Sequence, residues 1–205
     1  MTTIKTSRRG ITPKDSIVPD KTEVPVKSRL PEPSITELAD RIKKNFIEGL
    51  APIENETSQV LILGTMPSVE SLKRQAYYGH PRNLFWKLIA EITGETVPED
   101  YEDKKKYLLK YKIALWDMCQ TCIRAGSLDS NISEEMPNDI KSFITKHPHI
   151  KAIVLNGKES ERLYRKYITG MEQIHLISMP STSPANAGVL WEKKVEAWSR
   201  LKEFV

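Results

Sequence analysis

The chain has 205 residues, of which 39% are hydrophobic, and it carries a formal net charge of +4. That length suits one domain with an appendage, and the apolar content is sufficient for a packed core. No apolar run approaches the length of a membrane span, and the start of the chain is too polar for a signal peptide. We therefore expect a soluble, intracellular protein without a membrane partner.

The first 34 residues differ in composition from the rest of the chain. They contain five prolines and little hydrophobic periodicity, which predicts a disordered arm over residues 1–34 and a folded domain over residues 35–205. Seven basic and four acidic side chains give this arm a charge of 7 − 4 = +3, so the remainder carries only 4 − 3 = +1. The arm could add weak, salt-sensitive contacts with nucleic acid, or it could simply aid solubility.

Helical and strand patterns alternate along the remaining chain. Ser34 is a good N-cap with Glu37 three residues later, which predicts a first helix. Short and nearly apolar runs predict buried strands at residues 60–63, 113–116, 152–155 and 174–177. Apolar residues at helical spacing predict helices within residues 84–92, 140–144, 163–167 and 191–201. This alternation predicts an α/β fold, a three-layer α/β/α sandwich with a central four-stranded parallel sheet.

The predicted sheet indicates where a functional site should lie. Ligands of open parallel sheets bind beyond the carboxyl ends of the strands. The segments that follow the strands are residues 64–83, 117–131, 156–157 and 179–188, and three of these are rich in Gly, Pro, Ser, Asn and Tyr. His147 and His149 precede a strand and His175 lies near a strand start, so all three are poor catalytic candidates.

The two cysteines, Cys119 and Cys122, form one C-x-x-C string. A single such pair supplies too few ligands for a zinc or iron–sulfur site. We expect two reduced, partly buried thiols, with a redox pair as the alternative reading.

Two motifs carry a family resemblance. The first loop reads G-T-M-P-S at residues 64–68 and Y-Y-G-H-P-R-N-L-F-W at residues 77–86, and the last loop reads M-P-S-T-S-P-A-N at residues 179–186. In this order, they resemble the uracil-DNA glycosylase superfamily, and they are most similar to its hypoxanthine-DNA glycosylase branch. The resemblance extends from about residue 60 to residue 198. It implies the fold of that superfamily and a monofunctional enzyme of base excision repair that needs no metal or organic cofactor.

The resemblance also implies a catalytic residue. The hypoxanthine branch carries its catalytic asparagine in H-P-x-N, which corresponds to Asn83. Met66 and Met179 stand where other branches place catalytic polar side chains, and a thioether can neither position water nor accept a proton. Pro81 suits the first turn of a helix, which would put Asn83 near the helix N-terminus. The alternative reading of Asn83 is a helix cap with no catalytic role.

The remaining site residues follow from the same motifs. Related branches place an aromatic residue that stacks on the extruded base at the position of Tyr78. We expect Tyr78, Met66, Gly64, His80 and Asp117 to bind the base, although His80 could instead brace its turn and Asp117 could be structural. We expect contacts with DNA from the short polar loop that contains Ser181, Thr182, Ser183, Asn186 and Met179, which could also be an ordinary turn.

The expected activity is hydrolytic excision of a flipped, deaminated base from DNA, with hypoxanthine ahead of uracil, leaving an abasic site. The alternatives are a uracil or thymine glycosylase acting on mismatches, a non-catalytic protein that binds DNA damage, and a small-nucleotide enzyme. The expected partner is DNA containing a damaged base, bound by a monomer. The compartment would follow the genome: the cytoplasm in a prokaryote and the nucleus in a eukaryote.

Overall fold

The computed structural model of the protein describes Met1, Thr3 and residues 34–205. The rest of the predicted arm lies outside the described residues. The helices are α1 (Ile35–Asn45), α2 (Val69–Arg74), α3 (Phe85–Thr93), α4 (Tyr101–Lys110), α5 (Ile140–Lys146), α6 (Lys158–Tyr167) and α7 (Trp191–Trp198). The strands are β1 (Phe46–Glu48), β2 (Val60–Gly64), β3 (Ile113–Asp117), β4 (Cys119–Ile123), β5 (Ser133–Pro137), β6 (Ala152–Asn156) and β7 (His175–Met179).

The central sheet has four parallel strands in the order β3-β2-β6-β7. All four predicted strands are present. The last one begins at His175 and runs to Met179, two residues beyond the predicted end. The others each extend one residue further than the apolar pattern predicts, because Gly64 still pairs with Asp117 and Asn156 with Met179. Backbone pairing thus continues past the point where side-chain hydrophobicity stops.

Each face of this sheet packs against its own layer of helices. In β2, Val60 and Ile62 join a buried cluster with residues of α3, α4 and α7, whereas Leu61 and Leu63 join a second cluster with residues of α5 and α6. Alternate residues of a strand point to opposite faces, so an entirely apolar strand needs cover on both sides. The predicted three-layer sandwich is therefore confirmed.

A second sheet accompanies the first and was not expected from the sequence. Strands β1, β4 and β5 pair antiparallel in the order β1-β4-β5, with an irregular register around Thr121. Cys119 and Cys122 lie in β4, where both are buried and free, and burial raises the pKa of Cys119 to about 12. A reactive redox thiol needs a lowered pKa, so this environment agrees with the expected reduced thiols.

The first helix, α1, forms where Ser34 and Glu37 predicted it. Its apolar residues do share one side, but Ile35, Leu38 and Ile42 are exposed, as is the following Phe46. Among the described residues, no helix combines the length and apolar character needed to cross a bilayer.

Candidate active site

The four parallel strands end at one cavity. Their last residues are Gly64, Asp117, Asn156 and Met179, and all four line a cavity of about 540 Å³. This volume lies within the range of about 300–1,000 Å³ that is typical of ligand sites. The predicted site residues on its wall are Gly64, Met66, Tyr78, Asn83, Asp117, Met179, Ser181, Thr182, Ser183 and Asn186.

His80 is the predicted site residue that is not among the residues lining this cavity. Its Nδ1 accepts a hydrogen bond from the backbone N–H of Arg82 at 3.1 Å. The geometry therefore gives His80 the bracing contact that was the alternative reading of this residue.

Asn83 lies between a tight turn and the start of α3. Its backbone N–H donates to the carbonyl of His80 at 2.8 Å, and its side-chain Oδ1 accepts from the backbone N–H of Phe85 at 3.0 Å. The expectation that Pro81 occupies the first helical turn is wrong, because the chain first closes this turn and the helix begins only at Phe85. Asn83 thus lines the cavity directly before the N-cap residue Leu84, and its side chain closes a local turn onto the first helical N–H. Its Nδ2 makes no hydrogen bond to the described residues.

Tyr78 is held in an unusual backbone conformation beside Asn83. Its φ angle is +54°, in the left-handed region that non-glycine residues seldom adopt and that stores strain. One side of its ring stacks on Phe85 with the centroids 3.9 Å apart. Burial, and secondarily the charge of Asp117, raise the pKa of Tyr78, so the phenol stays neutral. Tyr77, by contrast, is buried with its hydroxyl donating to the carbonyl of Leu50 at 3.0 Å.

Asn156 connects the two motif loops from the end of β6. Its Nδ2 donates to the Tyr78 hydroxyl at 2.9 Å and to Thr182 Oγ1 at 3.0 Å. Its Oδ1 accepts from the backbone N–H of Thr182 at 3.0 Å, and the Thr182 carbonyl accepts from the N–H of Leu84 at 3.0 Å. The sequence pattern at Asn156 also fits a plain turn. Only its position directly after a predicted strand indicated that Asn156 would lie at the functional edge of the sheet.

Side chains of α7 hold the loop after β7 through hydrogen bonds to its backbone carbonyls. Lys194 is only 1% exposed, and its Nζ donates to the carbonyls of Ser181 and Asn186. Trp198 Nε1 donates to the carbonyl of Pro180 at 3.0 Å. Ser181, Ser183 and Asn186 are half-buried at the cavity edge, whereas Thr182 and Met179 are buried.

Asp117 places a carboxyl group in the cavity wall without a matching donor. The side chain is buried, and its Oδ2 has no hydrogen-bond partner among the described residues. A Cβ atom on Gly64 would lie 2.2 Å from Asp117 Oδ1, so this arrangement requires glycine at residue 64. Burial is the main cause that raises the pKa of Asp117 to about 7, the charge of Asp129 adds to it, and Arg124 opposes it.

Comparison with known proteins identifies the family. The profile described as "Uracil DNA glycosylase superfamily" matches residues 51–202. The chain belongs to the uracil DNA glycosylase superfamily. It is 37% identical over 139 residues to a hypoxanthine DNA glycosylase of Methanosarcina acetivorans, covering 67% of this chain and 87% of the relative. It is 35% identical over 114 residues to a hypoxanthine DNA glycosylase of Methanosarcina barkeri, covering 55% of this chain and 72% of the relative.

A solved structure agrees with this assignment. The solution NMR structure of a candidate uracil DNA glycosylase from Methanosarcina acetivorans matches with a TM-score of 0.68 and 34% identity. The match covers 77% of this chain and 96% of that structure.

This member of the uracil DNA glycosylase superfamily uses its second sheet to complete the cavity. The segment between β4 and β5 brings Asp129 to the wall, where Oδ2 accepts from Thr65 Oγ1 at 3.0 Å. Arg124, 2% exposed, donates to the carbonyls of Met66, Pro67 and Gly126. Both residues lie in the segment 117–131 that was expected at this edge, but the sequence pattern singled out neither of them, because the sheet that positions them leaves no clear apolar pattern.

Proposed function

We propose that this protein is a DNA repair glycosylase that rotates a deaminated base, hypoxanthine first, into the cavity and hydrolyses its N-glycosidic bond. The observation that carries the proposal is the position of Asn83, at the start of α3 and on the wall of a cavity of about 540 Å³ that Tyr78 also lines. The two relatives described as hypoxanthine DNA glycosylases support the choice of base. The products are the free base and an abasic site in DNA.

Asn83 carries the hydrolytic role in this proposal. Glycosidic cleavage develops positive charge on the sugar and negative charge on the departing base, and the enzyme must also orient water. Oδ1 of Asn83 uses one lone pair for the Phe85 N–H, which fixes the amide plane. Its second lone pair and Nδ2 remain to hold a water molecule. This hydrogen bond therefore serves to orient the amide for catalysis, so a structural and a catalytic role of Asn83 are compatible.

Tyr78 and two methionines form the base-binding wall. Because Phe85 covers one side of the Tyr78 ring and Asn156 holds its hydroxyl, the ring is pre-oriented for a base to stack on its other side. Met66 and Met179 are buried residues on the same wall, and methionine adapts well to the shape of a purine.

In this proposal, a backbone N–H near the cavity mouth selects hypoxanthine over adenine. An N–H that donates to O6 of hypoxanthine would meet the amino group of adenine and lose its hydrogen bond, which is strongly discriminating in a buried site. The N–H of Gly79 already donates to Ser71 Oγ at 3.1 Å. We therefore assign the reading of O6 to the backbone around Met66.

The cavity edge provides the contacts with DNA. Ser181, Ser183 and Asn186 present small polar groups suited to phosphates, while the buried Thr182 supports them from below. Leu128 lines the cavity edge and is 53% exposed. Apolar side chains of this kind can enter the base stack when a nucleotide is extruded, and we assign that role to Leu128. One subunit suffices for one lesion, so the proposed form is a monomer acting where the genome lies, the cytoplasm in an archaeal cell such as those of the relatives.

Single-turnover excision from matched duplexes tests the proposal. The duplexes carry one hypoxanthine, one uracil or one G·T mismatch in an identical sequence, and strand breaks are counted after alkali treatment. We expect hypoxanthine to be released fastest and an undamaged duplex to stay intact. Faster release of uracil opposite every base would make this a uracil glycosylase, and tight binding without any excision would make it a damage-binding protein.

A further inference from the structure

The carboxyl group of Asp117 is buried in the cavity wall, and one of its oxygens has no hydrogen-bond partner among the described residues. Asp117 is only 4% exposed, lines the cavity, and has no partner for Oδ2 among the described residues. Burying an unpaired ionised carboxylate is costly, and proteins avoid it by pairing or neutralising the group. A buried and unpaired carboxyl in the wall of a cavity is therefore suited either to bind a donor on a ligand or to hold a proton itself.

The surrounding chain fixes this carboxyl group in position. Asn138 Nδ2 donates to the backbone carbonyl of Asp117 at 2.8 Å, and the missing side chain of Gly64 provides the space that Oδ1 occupies. The buried Arg124 directs its hydrogen bonds to backbone carbonyls, including that of Gly126 at 3.0 Å. No guanidinium hydrogen bond to Asp117 is present among the described residues, so the one buried arginine nearby does not hold this carboxyl in its charged form.

Electrostatics favour the neutral form of Asp117. Burial is the largest cause, and the carboxylate of Asp129 adds to it, so that the pKa of Asp117 rises to about 7 despite the opposing charge of Arg124. Four other titratable groups interact with Asp117: Tyr77, Tyr78, Tyr101 and Cys119. Burial raises the pKa of each, so all four are neutral near pH 7. A carboxyl with a pKa of about 7 is mostly protonated below neutral pH and can give up its proton to a ligand in that range.

We propose that Asp117 donates its carboxyl proton to a ring nitrogen of the departing purine. The inference rests on the proposed function, since it needs a purine in the cavity. The bond between C1′ and N9 breaks with its electron pair moving to the base, and the proton of Asp117 neutralises that charge at N3 or N7. The water held by Asn83 forms the new bond to C1′ and loses a proton to solvent, and solvent returns a proton to the Asp117 carboxylate. Asp129 acts as a positioning residue that keeps Asp117 protonated.

The pH profile of single-turnover hypoxanthine excision tests this role. The wild-type rate should fall as the pH rises through about 7, because the protonated form is the active one. Asp117→Asn has the same shape but cannot give up a proton, so it should be slower by about a hundredfold in mildly acidic buffer and should lack this pH dependence. A profile of Asp117→Asn that parallels the wild type would overturn the proposal.

Asp129→Asn is the matched variant. It preserves an oxygen that can accept from Thr65 but removes the charge that raises the pKa of Asp117. The midpoint of the pH–rate profile should therefore move to lower pH. An unmoved midpoint would show that Asp129 does not raise the pKa of Asp117. This measurement also decides the question if Asp117→Asn folds poorly.

Substrates that lack one purine nitrogen identify the acceptor. Duplexes with 3-deaza or 7-deaza hypoxanthine remove N3 or N7 in turn. With the analogue that lacks the acceptor, wild type and Asp117→Asn should release the base at equal rates. A full effect of Asp117→Asn on both analogues would overturn proton donation. If wild type releases no hypoxanthine at any pH, it is the proposed function that fails.

Discussion

Asn83 combines a structural hydrogen bond at the start of α3 with the proposed catalytic role. Asn83→Ala should lower single-turnover excision by about a hundredfold or more, because a positioned water is lost. It should also lower the free energy of unfolding by about 1 kcal/mol, since the hydrogen bond to the Phe85 N–H disappears. Excision assays and urea denaturation measure the two effects.

Asn83→Ser separates these two roles of the asparagine. A serine hydroxyl can still accept from the backbone N–H two residues on, but it lacks the amide. This variant should be nearly as stable as wild type and still inactive. Excision within a few-fold of wild type in either variant would remove Asn83 from the mechanism.

Tyr78 combines a stacking ring with a hydroxyl that belongs to the Asn156 network. Tyr78→Ala should cost roughly 1–3 kcal/mol of base stacking and slow excision accordingly. Tyr78→Phe preserves the ring, so excision should change little. It should still reduce stability by about 1 kcal/mol, because Asn156 Nδ2 loses an acceptor. Equal excision rates for the two variants would show that the ring is not the stacking surface.

At the scale of the element, α7 acts as a support for the loop over residues 181–186. Lys194→Met preserves the aliphatic stem and removes the donors to Ser181 and Asn186. Losing hydrogen bonds from a buried charged group costs about 1.5–3 kcal/mol. Stability should fall by that order, and affinity for lesion-containing DNA should fall because the loop is no longer fixed.

Lys193 provides a matched control on the same helix. Its ammonium pairs with Glu196 at 2.8 Å, and both side chains are well exposed. Lys193→Met should therefore change stability and DNA affinity little. Urea denaturation and a DNA-binding titration compare the two variants, and indistinguishable results would mean that the loop does not depend on Lys194.

At the scale of the whole molecule, the basic arm should contribute to affinity and not to chemistry. A chain that starts at Ser34 loses seven cations and a net charge of +3. At saturating enzyme its rate of base release should match that of the full chain, because every residue assigned to the site lies after the arm. Its affinity for DNA should drop modestly, and the dependence of affinity on salt should flatten. A well-folded but inactive truncation would place the arm in the active site.

Much of the architecture could be predicted from the sequence by itself. The strands β2, β3, β6 and β7 are almost wholly apolar, and a strand with that pattern must be covered on both faces, which leads to three layers. Parallel strands bring their carboxyl ends to one edge, so it could also be predicted that Gly64, Asp117 and Asn83 lie close together. The two motif loops lie on that edge, and the family resemblance that they carry was confirmed.

Only the tertiary structure decided how these residues work together. The sheet of β1, β4 and β5 has half-exposed, polar strands with irregular pairing, so it leaves no periodic pattern. It nevertheless brings Asp129 to the cavity wall and Arg124 to the carbonyls of Met66 and Pro67. The roles of Asn156 and Lys194 depend on contacts with residues 26 and 78 positions away, and 8 and 13 positions away, respectively. The raised pKa of Asp117 could likewise not be predicted from the sequence, because it arises from burial and from the charge of Asp129, which folding brings close.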